Sequence, residues 1–246
     1  MQHRLLLFIT TTILVWMILE LMVYRYRYQF KCPCQTCSCS CECQFCESFS
    51  NVVSKINRVD SKKYGVESFS VKPSNLTKVK SSVDGHIYYV QNTFESTKNA
   101  ADTLAYLNQT TLRLIQILQD TYPTDERINR LNKRYNPSVI TENYPFGNDT
   151  DTSYTINKGD ELVYCLRSKT DSSKICPMNT LLFVVLHEMS HVMSISFGHN
   201  DEFFDNFMFL LDEADKAGLY NPVDYGKNPQ EYCGLTIDHN PMFPDS

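Results

Sequence analysis

His187, Glu188 and His191 stand in an H-E-x-x-H arrangement, and His199 follows eight residues after His191, directly behind Gly198. Residues four apart on a helix project from one face, a turn apart, so both imidazoles can reach one ion. Histidines spaced this way are zinc ligands, and the glutamate beside the first is placed to take a proton from water. The chain holds six histidines, and three of them fall between positions 187 and 199. The spacing therefore predicts a zinc site with Glu188 as general base.

The neighbouring sequence supplies the elements such a site needs. Asn179 is placed to cap a helix, and the apolar run Thr180–Leu186 suits one buried on most sides, with its His-Glu-His edge facing a cleft. Gly198 is expected to stop that helix in a left-handed conformation, so that the chain reverses and brings His199 over the first two histidines. Asn200 can cap a second helix, in which Phe203, Phe204, Phe207, Leu210, Leu211 and Ala214 recur at helical spacing until Gly218. The plainer reading is two packed core helices with chance histidines. An apolar helix, a stop glycine and a third histidine together favour the metal.

His187-Glu-Met-Ser-His191, then Gly198-His199-Asn-Asp-Glu-Phe203 and a Phe/Leu-rich helix, resembles the WLM and SprT-like (Spartan-type) zinc metallopeptidases. Their pattern is H-E-[LM]-x-H, a variable gap, G-H-x-x-x-[FW], then an amphipathic helix. The resemblance covers about residues 154 to 220. It implies a small zincin domain with His187, His191 and His199 as zinc ligands and Glu188 as general base. The metzincin pattern is not met, since it needs Gly at 194 and His at 197, where this chain has Ser194 and Phe197. A gluzincin-type site would instead take its third ligand from the next helix, where Glu213 is the alternative. Zinc peptidases often use a further donor to a developing oxyanion. Tyr225 or Tyr232 could supply it if the tail folds back over the cleft; packing of a C-terminal loop is their plainer role. In zincins the strand before the active helix commonly pairs with an extended substrate, and Leu162, Val163 and Tyr164 are the expected residues.

The remaining pattern predicts an α+β domain: an active-site helix, a short β-hairpin or sheet, and packing helices. His86–Val90 reads as a strand, with His86 structural. Residues 93–120 read as a long amphipathic helix, with Ala100, Leu104, Leu107, Leu112, Ile115 and Leu118 on its apolar face. A second, basic helix is expected over 125–135, its charges forming a solvated surface. Tyr154–Asn157 and Glu161–Arg167 read as a hairpin around Lys158-Gly159-Asp160. Cys165 and Cys176 bracket a polar loop, as a disulfide or as two buried thiols.

Composition bounds the rest. With 246 residues, 42% hydrophobic and 21% charged, the chain has room for one globular domain behind an N-terminal segment. A net charge of −5 and the lack of a basic stripe argue against a grip on nucleic acid, and none is expected as a partner. Leu5–Val23 is nineteen residues of mostly apolar character, about 28 Å as a helix, and predicts a single transmembrane anchor. Arg25-Tyr-Arg-Tyr28 follows where a cleavable signal peptide would show small residues. Arg25, Arg27 and Lys31 place the body on the cytosolic side; the sequons at Asn75, Asn108 and Asn148 point the other way. Seven of the ten cysteines crowd Cys32–Cys46, as palmitate acceptors, a thiolate metal cluster, or intermolecular disulfides through which the chain self-associates. The expected organisation is an anchor over 1–31, the cysteine-rich segment over 32–46, a tether over 47–80 and the zincin-like domain over 81–246.

The function expected from these residues is a membrane-anchored zinc endopeptidase acting on protein or peptide near a cellular, viral or virion membrane. The alternative is a non-catalytic structural or interaction protein of a membrane or virus particle that retains the fold. An intact Glu188 argues against it, since a retired site has no need of its base. A zinc-dependent hydrolase of another amide would use the same metal chemistry.

Overall fold

The structure is a computed structural model, and it describes residues 75–145 and 152–243. The expected span Leu5–Val23, the Cys32–Cys46 cluster and the sequon at Asn148 lie outside those residues. Among the described residues no helix is long and apolar enough to cross a membrane.

The architecture is mixed α and β. Strands β1 (Leu76–Lys80) and β2 (Ile87–Gln91) form an antiparallel pair, and β3 (Ile140–Glu142) runs parallel to β2. β4 (Tyr154–Ile156) and β5 (Glu161–Tyr164) form the predicted hairpin, with β5 parallel to β3, giving the sheet order β1-β2-β3-β5-β4. Two expectations are corrected here. The segment assigned to a tether contributes β1, so the folded body extends at least to residue 75. The proposed substrate strand Leu162-Val163-Tyr164 is an inner strand, paired on both sides; β4 is the edge. The continuous apolar run of β5 is explained by this burial, since an inner strand covered on both faces need not alternate.

The helices form the other layer. α1 (Thr97–Thr121) buries Leu104, Leu107, Leu114, Ile115 and Leu118 at three- and four-residue spacing against the sheet; Leu114, rather than Leu112, completes the face. α2 (Glu126–Arg134) is capped by the Asp125 side chain, which accepts from the Arg127 N–H. α3 (Met178–Met193) carries the H-E-x-x-H residues and is buried along most of its length; α4 (Asp201–Lys216) packs beside it. Asn200 caps α4 through its side chain, and Gly218, at φ 66°, sits just past its end, both as expected.

The ends of α3 differ from the sequence reading. It starts after Pro177, and Asn179 instead exchanges two hydrogen bonds of 2.9 Å with the Asn221 backbone. It ends at Met193 rather than at Gly198: the Ile195 and Ser196 N–H groups go to the Glu202 carboxylate instead of the preceding turn, and arginines of α2 take up the last carbonyls. Gly198 is left-handed, φ 81°, but inside the connection to α4. Beyond α4 the hairpin β6 (Gln230–Tyr232) and β7 (Leu235–Ile237) is joined to the end of β5 by a disulfide, Cys165–Cys233. Of the two readings of Cys165 and Cys176, the disulfide between them is not formed, and Cys176 is a buried free thiol.

Candidate metal centre and its supports

The periodicity of α3 decides where its polar groups go. Eleven of its sixteen residues are buried, so the helix is embedded, and His187 and His191 emerge together, one turn apart, on its more open side. The chain leaves the helix, turns at Gly198 and returns His199 to the same point. His199 Nε2 lies 3.0 Å from His187 Nε2 and 3.1 Å from His191 Nε2. A neutral imidazole has one N–H, so His199 Nε2 can donate to at most one of the two nitrogens it faces. A cation at the centre would satisfy all three lone pairs. Tetrahedral zinc with Zn–N bonds of about 2.0–2.1 Å spaces its ligand nitrogens about 3.3 Å apart, close to the arrangement here. The three residues could hold a metal ion, and the donor set fits one.

Phe203, from the first turn of α4, floors the cluster. Its fully buried ring lies 4.7, 4.4 and 4.6 Å from those of His187, His191 and His199. Burial, together with the charge of the neighbouring histidines, lowers His187 to about 3; burial, then His199 and Lys158, lowers His191 to about 4. Both rings are therefore neutral at physiological pH, the state in which imidazole binds metal. Glu188 is buried at 4% exposure, and its Oε2 accepts a 2.9 Å hydrogen bond from the Thr155 hydroxyl of the edge strand β4. Glu188 is thus held between α3 and the edge of the sheet.

The other expected residues lie elsewhere. Glu213 is not part of the histidine cluster; it is buried near the end of α4, accepting from the Tyr122 hydroxyl and Lys216 Nζ. Tyr225 is fully buried and packs edge-on against Phe183. The Tyr232 hydroxyl is buried on Ser153 Oγ at 2.5 Å and the Cys165 carbonyl at 2.9 Å. Both tyrosines are core residues, and burial is the first cause that pushes their hydroxyl pKa up. Neither faces the cleft as an oxyanion donor.

Against known proteins, the chain is 32% identical over 171 residues to the uncharacterized protein R325 of Acanthamoeba polyphaga mimivirus, an alignment that takes in 68% of the chain and 85% of that protein. The chain belongs to the family of this mimivirus protein. It is also 39% identical over 84 residues to the uncharacterized protein 042R of Invertebrate iridescent virus 3, spanning 34% of the chain and half of that relative. No family model matches. Among solved structures, Wss1 from Saccharomyces cerevisiae is similar over 53% of the chain and 90% of its own, with 17% identity and a TM-score of 0.40.

In this family member, several supports of the site escaped the sequence reading. The basic residues of α2, taken as a solvated face, include Arg130 and Arg134, whose guanidinium groups donate to the Met193, Val192 and Ser194 carbonyls. Their spacing of four was the available signal, but nothing local says which helix end they cap. Glu202 accepts from the Ile195 and Ser196 N–H groups at 2.8 and 2.9 Å. These hydrogen bonds, the Ile195 backbone first, hold its carboxyl down at about 2. In sequence it is an ordinary acidic first-turn residue.

Proposed function

We propose that the chain is a zinc-dependent peptidase, similar to the WLM and SprT-like enzymes, with His187, His191 and His199 as the metal ligands. The convergence of three imidazole nitrogens beside a buried glutamate is the observation that carries this reading. When bound, zinc supplies Lewis acidity, lowering the pKa of water and polarising a carbonyl. Glu188, oriented by Thr155, takes the proton from the attacking water and returns it to the leaving amine. An extended substrate adds to the edge of β4, which pairs only with β5 among the described residues and lies beside Glu188. That arrangement supports polypeptide as the substrate class.

The anchor Leu5–Val23 would hold this domain at a membrane, with Cys32–Cys46 available for self-association. Asn108 supports a cytosolic body: it is 1% exposed and bonded to both Tyr88 and Tyr135, so a glycan there is incompatible with the fold. The Cys165–Cys233 bridge points the other way, since disulfides persist in oxidising compartments.

Glu188→Gln is the direct test, with cleavage of a fluorescently labelled unfolded protein as the assay. The variant is expected to keep its zinc and lose about 10²–10⁴-fold in rate. Full activity in that variant would sink the assignment.

A further inference from the structure

We infer that Glu202, with Arg130 and Arg134 behind it, is a positioning residue that sets His199 for the metal. This inference rests on the metal-site reading above. His187 and His191 are fixed by a buried helix, whereas His199 is exposed and sits on a short connection, where Phe203 supports its ring and the backbone around it must set its position.

The end of α3 and the first three residues of that connection are tied by side chains from three elements. Arg134 Nη1 donates to the Val192 and Ser194 carbonyls at 2.9 and 2.8 Å, and Arg130 Nε to the Met193 carbonyl at 2.8 Å. The two Glu202 oxygens take the Ile195 and Ser196 N–H groups, and Oε2 also takes the Ser196 hydroxyl at 2.5 Å. Lys158 Nζ, from the β4–β5 turn, donates to the Ser196 carbonyl. Arg130 Nη2 stands 3.9 Å from Glu202 Oε1 and joins the two sets of ties. The turn bearing Lys158 is itself seated against α2: a Cβ on Gly159, at φ 121°, would stand 2.8 Å from the Arg134 carbonyl.

The consequence is pre-organisation. A ligand on a loose connection must be ordered when the ion arrives, and that entropy is subtracted from affinity. One already strapped in place is not so penalised. Glu202 is the central tie because one carboxylate fixes two consecutive N–H groups, Ile195 and Ser196, just ahead of His199.

The test uses the full chain with zinc and cobalt(II) alone as probes. Glu202→Ala is expected to weaken zinc about 10–100-fold, the usual effect of losing an outer-shell partner, and to change the absorption bands of bound cobalt. Glu202→Gln should lose less, because its one carbonyl oxygen still accepts from one N–H. Leu107→Ala, a core truncation in α1, should lower thermal stability while leaving zinc affinity and the cobalt spectrum unchanged. If Glu202→Ala does not fold, Ser196→Ala and Arg130→Lys, each removing part of the strap, should each weaken zinc several-fold. Zinc affinity within twofold of the parent in the folded variants, with an unaltered cobalt spectrum, overturns the inference and leaves the metal site standing. A parent chain that binds no zinc overturns the metal reading itself.

Discussion

At the connection between α3 and α4, the chemistry lies on thirteen consecutive residues, and the ties that hold it come from Glu202 close by and from arginines far along the chain. Arg130 is 63 residues from the carbonyl it caps. Around Arg167, at the end of β5, the arrangement is the reverse. Arg167 and Glu142 are fully buried, paired at 2.7 Å, and offer no group to solvent. Arg167 also donates to the Glu95 and Ser172 carbonyls, and Glu142 Oε2 accepts from the Gln91 N–H. Burial pushes the Glu142 carboxyl up, against the pull of Arg167. One polar cluster is open on one side and converges on a point; the other is sealed and ties strands β2 and β3 to the loops around Glu95 and Ser172, leaving the buried Arg167 Nη2 without a partner. What separates the two is access: the histidine nitrogens converge where solvent reaches them, whereas the Arg167 and Glu142 side chains are sealed from it.

This contrast is broken most forcefully at the closed cluster. Arg167→Met leaves Glu142 buried without its partner and should cost about 3–5 kcal/mol of stability. Denaturant unfolding measures that loss, while zinc affinity of the folded protein should not change. A matching loss of zinc affinity would mean that the two regions are coupled. A smaller effect is expected at Tyr232→Phe, which removes the hydroxyl donated to the Cys165 carbonyl. Stability should fall by about 1 kcal/mol, with kcat unchanged, since the hydroxyl is a core tie. A large fall in kcat would restore Tyr232 to the cleft.

The smallest effect is one of pH on the metal-free protein. Glu202 has its carboxyl lowered from 4.5 to about 2 by the Ile195 and Ser196 donors. A depressed carboxyl stabilises the folded state above its unfolded value, and that contribution is lost as pH falls through the folded one. The stability difference between the parent and Glu202→Gln should therefore be present above about pH 4.5 and shrink toward pH 2. A difference that persists unchanged through that window would mean that the ionised carboxylate is not what holds the connection.

The sequence made the open cluster legible because its geometry is local. Helical spacing brings His187 and His191 together, a glycine permits the reversal, and Asn200 restarts the chain so that His199 returns. The β4–β5 hairpin and the long amphipathic α1 were legible for the same reason, each carrying its own period and turn. What escaped was tertiary. The apolar run of β5 does not say whether its edges are taken. Three cysteines do not say which two meet, and Cys165 pairs across a separation of 68 residues rather than with the nearer Cys176. Glu213 and the two tyrosines had suitable chemistry, but only the packing shows that Tyr122 and Lys216 occupy Glu213 and that Phe183 and Ser153 meet Tyr225 and Tyr232.

The central claim is that three histidines hold a catalytic zinc, and elemental analysis of the purified chain tests it most directly. The parent and Glu213→Ala are expected to carry one zinc per chain, and His199→Ala to lose it. A parent chain without zinc, or loss in Glu213→Ala with retention in His199→Ala, would contradict the account.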